Sequence, residues 1–322
     1  MKRILITCIG LLFYTLIYSQ SKRLVVAADG SGNFKTVQQA INAVPDSSKD
    51  ITVIYIKNGI YKEKLRLPAT KLNVSIVGED RDKTILTYDD YHARKDSTGK
   101  EIGTSGSASF YIYGSGFSAE NITFENSAGV AAGQAVALWV AGDRSYFKNC
   151  RLLGFQDTLY TFGPGSRQFY DDCYIEGTVD FIFGAATAWF QNCEIYCKQG
   201  GGFITAASTP QNVKYGYVFK NCRIKGNAPN QSFYLGRPWR PYARVAYLNC
   251  ELGTQIIPGG WDFWRNEANK STAYYAEYNN KGAGFKPAER VLWSHQLTDD
   301  EAAQYTIDNV LSDWNPVSKS KK

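Results

Sequence analysis

Two carboxylates and two amides recur at one interval in the 322-residue sequence. Gln156 follows Gln134 by 22 residues, and Asp180 follows Asp157 by 23. Carboxylates held close together cannot both ionise cheaply, so one pKa is expected to rise and the other to fall, leaving an acid and a nucleophile. The cation that would keep one of them ionised and oriented is Arg237, in Tyr234-Leu235-Gly236-Arg237-Pro238-Trp239, through its planar fork of donors. The amides of Gln134 and Gln156 could donate to a developing oxyanion. Such a set supports acyl transfer without serine, and the chain contains no G-x-S-x-G. With only His92 and His295, neither a histidine relay nor a His-rich metal site is well supplied, and no metal or cofactor is expected. Phe155 and Phe181, beside the acids, and Trp239 offer faces on which sugar rings could stack. Singly, each residue reads more readily as a satisfied turn residue or a structural ion pair, and Thr104 in Gly103-Thr104-Ser105-Gly106 as a polar loop residue. It is the shared spacing that favours a site.

That spacing is a property of the whole chain. The pattern aromatic, any residue, Asn or Asp, Cys, any residue, Ile or Leu starts at Phe147, Tyr170, Phe190, Phe219 and Tyr247. Its cysteines, Cys150, Cys173, Cys193, Cys222 and Cys250, are 23, 20, 29 and 28 residues apart, and a looser copy places Ile122 in the cysteine slot. Short alternating runs separated by Gly, Asn and Asp disfavour a helical repeat and predict stacked β-coils: an all-β, single-domain parallel β-helix. Groups one coil apart then stand side by side on one face, which would bring Gln134, Gln156, Asp157 and Asp180 together. Upstream, Thr52–Ile56 and Val74–Val77 read as further strands. Phe34–Val44 reads as an amphipathic helix capped by Asn33 that plugs the first coil. Thr298 and Glu301 have capping-box spacing ahead of a second helix, set to cover the last coil or pack on its side.

Lys2 and Arg3, the apolar run Ile4–Tyr18 and polar Ser19–Arg23 have the order of a secretory signal peptide, with cleavage expected after Gln20. This leaves a 21–322 catalytic domain, exported to the periplasm or medium and free of the membrane. Its net charge falls from +6 to about +4, mild enough to permit an anionic polymer as partner. No basic cluster interleaved with aromatics marks a nucleic-acid surface. In an exported chain the six remaining cysteines invite disulfides, and neighbouring slots have a suitable Cα separation. A ladder of buried free thiols is equally open.

At these residues the sequence resembles the pectinesterase (pectin methylesterase) family. The matching motifs, in the family's order, are Gly59-Ile60-Tyr61-Lys62-Glu63, Gln134–Leu138, Gly154–Tyr160, Asp180–Gly184 and Leu235–Trp239. They are joined by Gly260-Trp261 with Trp264, Tyr274–Tyr278 and Trp314-Asn315-Pro316. The resemblance implies a right-handed parallel β-helix and hydrolysis of the methyl esters of galacturonan to pectate and methanol without a metal, by a monomer. Through those motifs it implies Asp157 as general acid and base, Asp180 as nucleophile, Gln134 and Gln156 as oxyanion donors, Arg237 as the residue orienting Asp180, and Trp239 and Thr104 as substrate contacts. It also implies a Cys173–Cys193 bridge. No long inhibitor-like N-terminal region is expected, and Ala206–Tyr217 departs from the plant pattern. Two rivals are a silent polysaccharide-binding β-helix and another esterase on the same scaffold. A polygalacturonase or pectate lyase is disfavoured by the amide-rich setting of the acids and the lack of a calcium-type Asp cluster.

Overall fold

A computed structural model describes residues 23–318; the expected signal segment, 1–20, lies outside them. Among these residues, three parallel sheets of eleven, seven and eight strands form the walls of a right-handed β-helix, the hand that parallel crossovers adopt. A representative coil runs through Arg167–Asp171, Tyr174–Gly177 and Val179–Gly184, one strand in each sheet. No helix among the described residues is long and apolar enough to cross a membrane.

Each position of the repeat has a structural reason. The aromatic points into the core, where Phe147, Tyr170, Phe190, Phe219 and Tyr247 form a column with centroids 4.8, 4.7, 4.5 and 4.4 Å apart and planes within 8° of parallel. The Asn or Asp turns the corner between the eleven- and eight-stranded sheets. Asn149, Asp172, Asn192, Asn221 and Asn249 all have φ between 48° and 55°, the left-handed region these two residues tolerate best. The cysteine then points inward again.

All six cysteines in the described residues are buried and free, so Cys173 and Cys193 are not bridged. In-register parallel stacking separates equivalent Cβ atoms by about one strand spacing, ~4.8 Å, which exceeds the ~3.5–4.5 Å a disulfide prefers even where the Cα separation is acceptable. The Sγ of Cys173 instead lies 3.4 Å from the Asp171 carbonyl, and that of Cys193 lies 3.4 Å from those of Tyr170 and Gln191.

The N-terminal helix is shorter than the sequence predicts, Val37–Asn42, and its cap is Thr36, whose side chain accepts from Gln39 N. Asn33 instead accepts from Val25 N at 2.8 Å, because Phe34 is bridged to Val26 and the chain there is still extended. The Glu63 carboxylate accepts the free N–H groups of Val37 and Gln38 at 2.8 and 3.1 Å, tying the plug to the first coils. At the other end Thr298 and Glu301 form the capping box of helix Asp299–Ala303, followed by helix Ile307–Leu311. These pack on the side: Ala302, Val310 and Leu311 cover Phe169, Trp189 and Val218 on the outer face of the eleven-stranded sheet.

Candidate active site

The site lies on the outer face of the seven-stranded sheet. There Leu159 pairs with Ile182 and Tyr160 with Phe183, the 23-residue offset that separates Asp157 from Asp180. One coil earlier, Gln134 bridges Gln156. The four residues predicted from spacing therefore meet at the N-terminal edge of adjacent strands, and all four line a cleft of about 380 Å³. Asp157 and Asp180 have φ of 66° and 50°, so each acid sits on a left-handed kink.

Arg237 stands in register with Ala206, which is in turn paired with Phe183. Its Nε and Nη2 donate to the two carboxylate oxygens of Asp180 at 2.8 and 2.7 Å. The guanidinium is held between the rings of Phe203 and Trp264, 3.8 and 3.9 Å from their centroids. Both fork and plane are thus fixed. Close packing continues in the backbone, since a Cβ on Gly236 would lie 2.1 Å from the Thr205 hydroxyl.

Burial pushes the Asp157 carboxyl well above the usual range; the charge of Asp180 adds to the rise and Arg237 opposes it. Burial also raises Asp180, but there the hydrogen bonds and charge of Arg237 pull down directly, and the rise is smaller. Sequence reasoning expected one pKa to rise and the other to fall. Both rise because both acids are buried, and the arginine sets them apart by restraining one. At a pH between the two, Asp180 is ionised while Asp157 keeps its proton.

Thr104 reaches the cleft from a short helical turn, Gly103–Gly106, with its hydroxyl 3.2 Å from His92 Nδ1. The segment carrying it is clamped over Gln134: His92 N donates to the Gln134 carbonyl at 2.8 Å, and the buried Asn126 amide donates to the carbonyls of Asp90, Ser107 and Val136. Trp239 closes the far side, 6.1 Å from Tyr160 and 5.9 Å from Phe183.

Two predicted contacts are not in the cleft. Phe181 is fully buried in the core, because the kink at Asp180 and the register shift after Val179 break strand alternation and turn both Phe181 and Ile182 inward. Phe155 faces away from Gln156, with the Lys198 ammonium 3.5 Å from its ring centroid. The aromatic lining comes instead from Tyr160 and Phe183, stacked at 4.1 Å, and from Trp264. Tyr160 and Phe183 each lie three residues after an acid, where strict alternation would turn them inward; the left-handed acid and the two buried residues after it return them to the cleft face. Ser105 arrives on the same short helical turn as Thr104, and Trp264 on a loop, for which period-two reasoning has no signal.

Residues 23–313 match the family model described as Pectinesterase. The chain is 43% identical over 287 residues to pectinesterase 31 of Arabidopsis thaliana, covering 87% of this chain and 89% of that one. The chain belongs to the pectinesterase family. Pectin methylesterase from carrot superposes with a TM-score of 0.84 at 37% identity, over 92% of this chain and 95% of that one. A pectin methylesterase in complex with a hexasaccharide gives 0.82 at 34% identity, over 92% and 99%. The chain spans about half the length of family relatives whose names also include a pectinesterase inhibitor. As a pectinesterase it is a carboxylic ester hydrolase, and the cleft on its seven-stranded sheet is the candidate site of that chemistry.

Proposed function

We propose that this pectinesterase removes methyl esters from the galacturonan of pectin, with Asp180 as nucleophile. The observation that carries the reading is the two-pronged hold of Arg237 on Asp180, beside an Asp157 whose carboxyl is raised further, in a cleft that also holds two glutamine amides. An Asp180 oxygen attacks the ester carbonyl carbon, and the oxyanion of the tetrahedral intermediate accepts hydrogen bonds from Gln134 and Gln156. Collapse breaks the bond to the methoxy oxygen, which takes the Asp157 proton and leaves as methanol. The resulting anhydride is opened by a water molecule that gives its proton to the Asp157 carboxylate. The sugar acid leaves and gives its remaining proton to solvent as pectate, Asp180 is regenerated as carboxylate and Asp157 is again protonated. No step uses a cofactor.

Thr104 and Trp239, on opposite sides of the cleft, are proposed to position the polymer. The homology of residues 23–313 and the order of residues in the first twenty-three support a catalytic domain of 21–322 exported behind a signal peptide. It is proposed to act as a monomer with no nucleic-acid partner. The test is methanol release from methylated pectin with hydroxylamine present. Wild-type enzyme should release methanol and yield hydroxamate at Asp180 or on the sugar acid; Asp180→Asn should do neither. Full turnover with no hydroxamate from either source would replace the covalent route by direct attack of water.

A further inference from the structure

His92 is one of two histidines in the chain, and it takes no part in the proposed chemistry. It stands at the neck of a hairpin, residues 92–103, beside the cleft. Gly103 N donates to the His92 carbonyl at 3.0 Å, Ile102 N donates to the Arg94 carbonyl at 2.9 Å, and Lys95 and Glu101 are bridged as antiparallel neighbours. At Gly103, with φ of 68°, the chain enters the turn that carries Thr104. The backbone thus holds the imidazole between two side chains. Its Nε2 is 3.6 Å from the Glu101 carboxylate, and its Nδ1 is 3.2 Å from the Thr104 hydroxyl, which lines the cleft together with Asp157 and Asp180. The neighbouring acids are engaged with other cations: Asp89 with Lys62, and Asp90 with Lys64 and with Arg94, which also lies over the Tyr91 ring. Lys95 and Lys100 belong to the hairpin itself.

In a neutral imidazole one nitrogen carries the proton and the other accepts. A carboxylate beside Nε2 favours the proton there, so Nδ1 is the acceptor and the Thr104 hydroxyl donates to it. Toward the cleft Thr104 then offers only lone pairs. When the ring takes a second proton from solvent, on Nδ1, both nitrogens donate; Nδ1–H turns to the Thr104 oxygen and the hydroxyl hydrogen is freed toward the cleft. We propose that His92 is a positioning residue that sets the hydrogen-bond polarity of Thr104. With a neutral ring Thr104 only accepts from the substrate; with a protonated ring it donates to a substrate oxygen that carries no hydrogen, as in the ester or the sugar ring. The inference rests on the pectin reading, with Thr104 as a contact of that polymer, and deepens it. Imidazole ordinarily changes charge between about pH 5 and 8, so substrate binding gains a pH dependence of its own, expressed in KM and separate from that of the two acids.

The test measures methanol release from fully methylated oligogalacturonate, which has no charge for an imidazolium to attract. For the unaltered enzyme, KM should fall about three- to tenfold from pH 8 to pH 5, the worth of one net hydrogen bond. Thr104→Ser, which keeps the hydroxyl, should retain that fall. Thr104→Val and His92→Gln should lose it, and His92→Gln should leave the pH dependence of kcat in place. Nitrogen-15 NMR of the His295→Gln protein, which leaves His92 as the single imidazole, should find Nδ1 unprotonated in the neutral ring. A neutral ring protonated at Nδ1, no fall of KM in the unaltered enzyme, or a fall that survives in either Thr104→Val or His92→Gln would overturn the polarity switch while leaving the esterase reading intact. Failure of the unaltered enzyme to release methanol at any pH would overturn the esterase reading itself.

Discussion

Arg237→Lys separates charge from geometry at the proposed nucleophile. Lysine keeps the positive charge but offers a point contact where Arg237 makes two parallel bonds of 2.8 and 2.7 Å to Asp180. Loss of one charge-assisted hydrogen bond in a largely buried site costs about 1.5–3 kcal/mol. The Phe203 and Trp264 rings, at 3.8 and 3.9 Å, fit a planar cation and not a tetrahedral one, which adds about 0.5–1 kcal/mol. If the whole of this falls on the orientation of Asp180 in the transition state, kcat drops by roughly 30- to 1000-fold with a small change in KM.

Arg237→Gln adds a pH signature. The folded pKa of Asp180 is raised by burial and restrained by Arg237, so removing the cation raises it further. Because attack requires the ionised carboxylate, the acid limb of kcat/KM should move to higher pH in the glutamine variant and stay nearly in place in the lysine variant. Methanol release across the pH range measures both. Near wild-type turnover for Arg237→Lys, together with an unmoved acid limb for Arg237→Gln, would refute the orienting role and leave the arginine as a structural brace.

Asp157→Asn should abolish turnover yet stabilise the fold at neutral pH by about 0.5–2 kcal/mol, read by thermal denaturation. The sign follows from its raised folded pKa: the contribution of Asp157 to stability is fully present below its unfolded pKa and is lost as pH rises toward the folded one. The gain over wild type should therefore vanish at low pH, and a gain that persists there would contradict the assignment. Trp239→Ala should lower kcat/KM on pectin about tenfold more than on a small methyl ester; equal losses would assign Trp239 to support of the catalytic residues. Thiol titration should find all six core cysteines unreactive in the native protein and free after denaturation, and a deficit of two would indicate a bridge.

The repeat made the architecture readable because one physical constraint, the stacking of coils, fixes residue type at several positions of each copy. The same constraint made Gln134, Gln156, Asp157 and Asp180 readable, since one-coil spacing places residues side by side whatever the loops do. The errors arose where the chain leaves regular geometry. Phe155 and Phe181 adjoin Gln156 and Asp180 in sequence, but the neighbour of a residue that faces the cleft points the other way: Phe181 turns into the core and Phe155 lies against Lys198. Asn33 looked like a cap because it precedes an apolar pattern, yet Phe34 still belongs to the extended chain and the helix starts only after Thr36. The Cys173–Cys193 bridge, implied by resemblance, was compatible with Cα spacing, whereas Cβ spacing and the pull of the neighbouring carbonyls decide the matter.

The left-handed kinks at Asp157 and Asp180 connect the fold to the chemistry. At the corner between the eleven- and eight-stranded sheets, the same conformation is held by Asn149, Asn192, Asn221 and Asn249, and by Asp172, with φ in a narrow range. There it turns the chain. On the seven-stranded sheet it lets a carboxylate face the cleft while the next residues return to the core, as Phe181 and Ile182 do. Only glycine, asparagine and aspartate adopt this conformation readily, so of the residues with a carboxylate, aspartate alone suits both backbone and chemistry. Glutamate at either position would add a methylene to a packed site and strain the kink, losing activity for reasons unrelated to proton or nucleophile. Asparagine keeps the backbone preference, as the other corners demonstrate in this same chain. Asp157→Asn and Asp180→Asn are therefore the substitutions whose effects report on the carboxyl groups themselves.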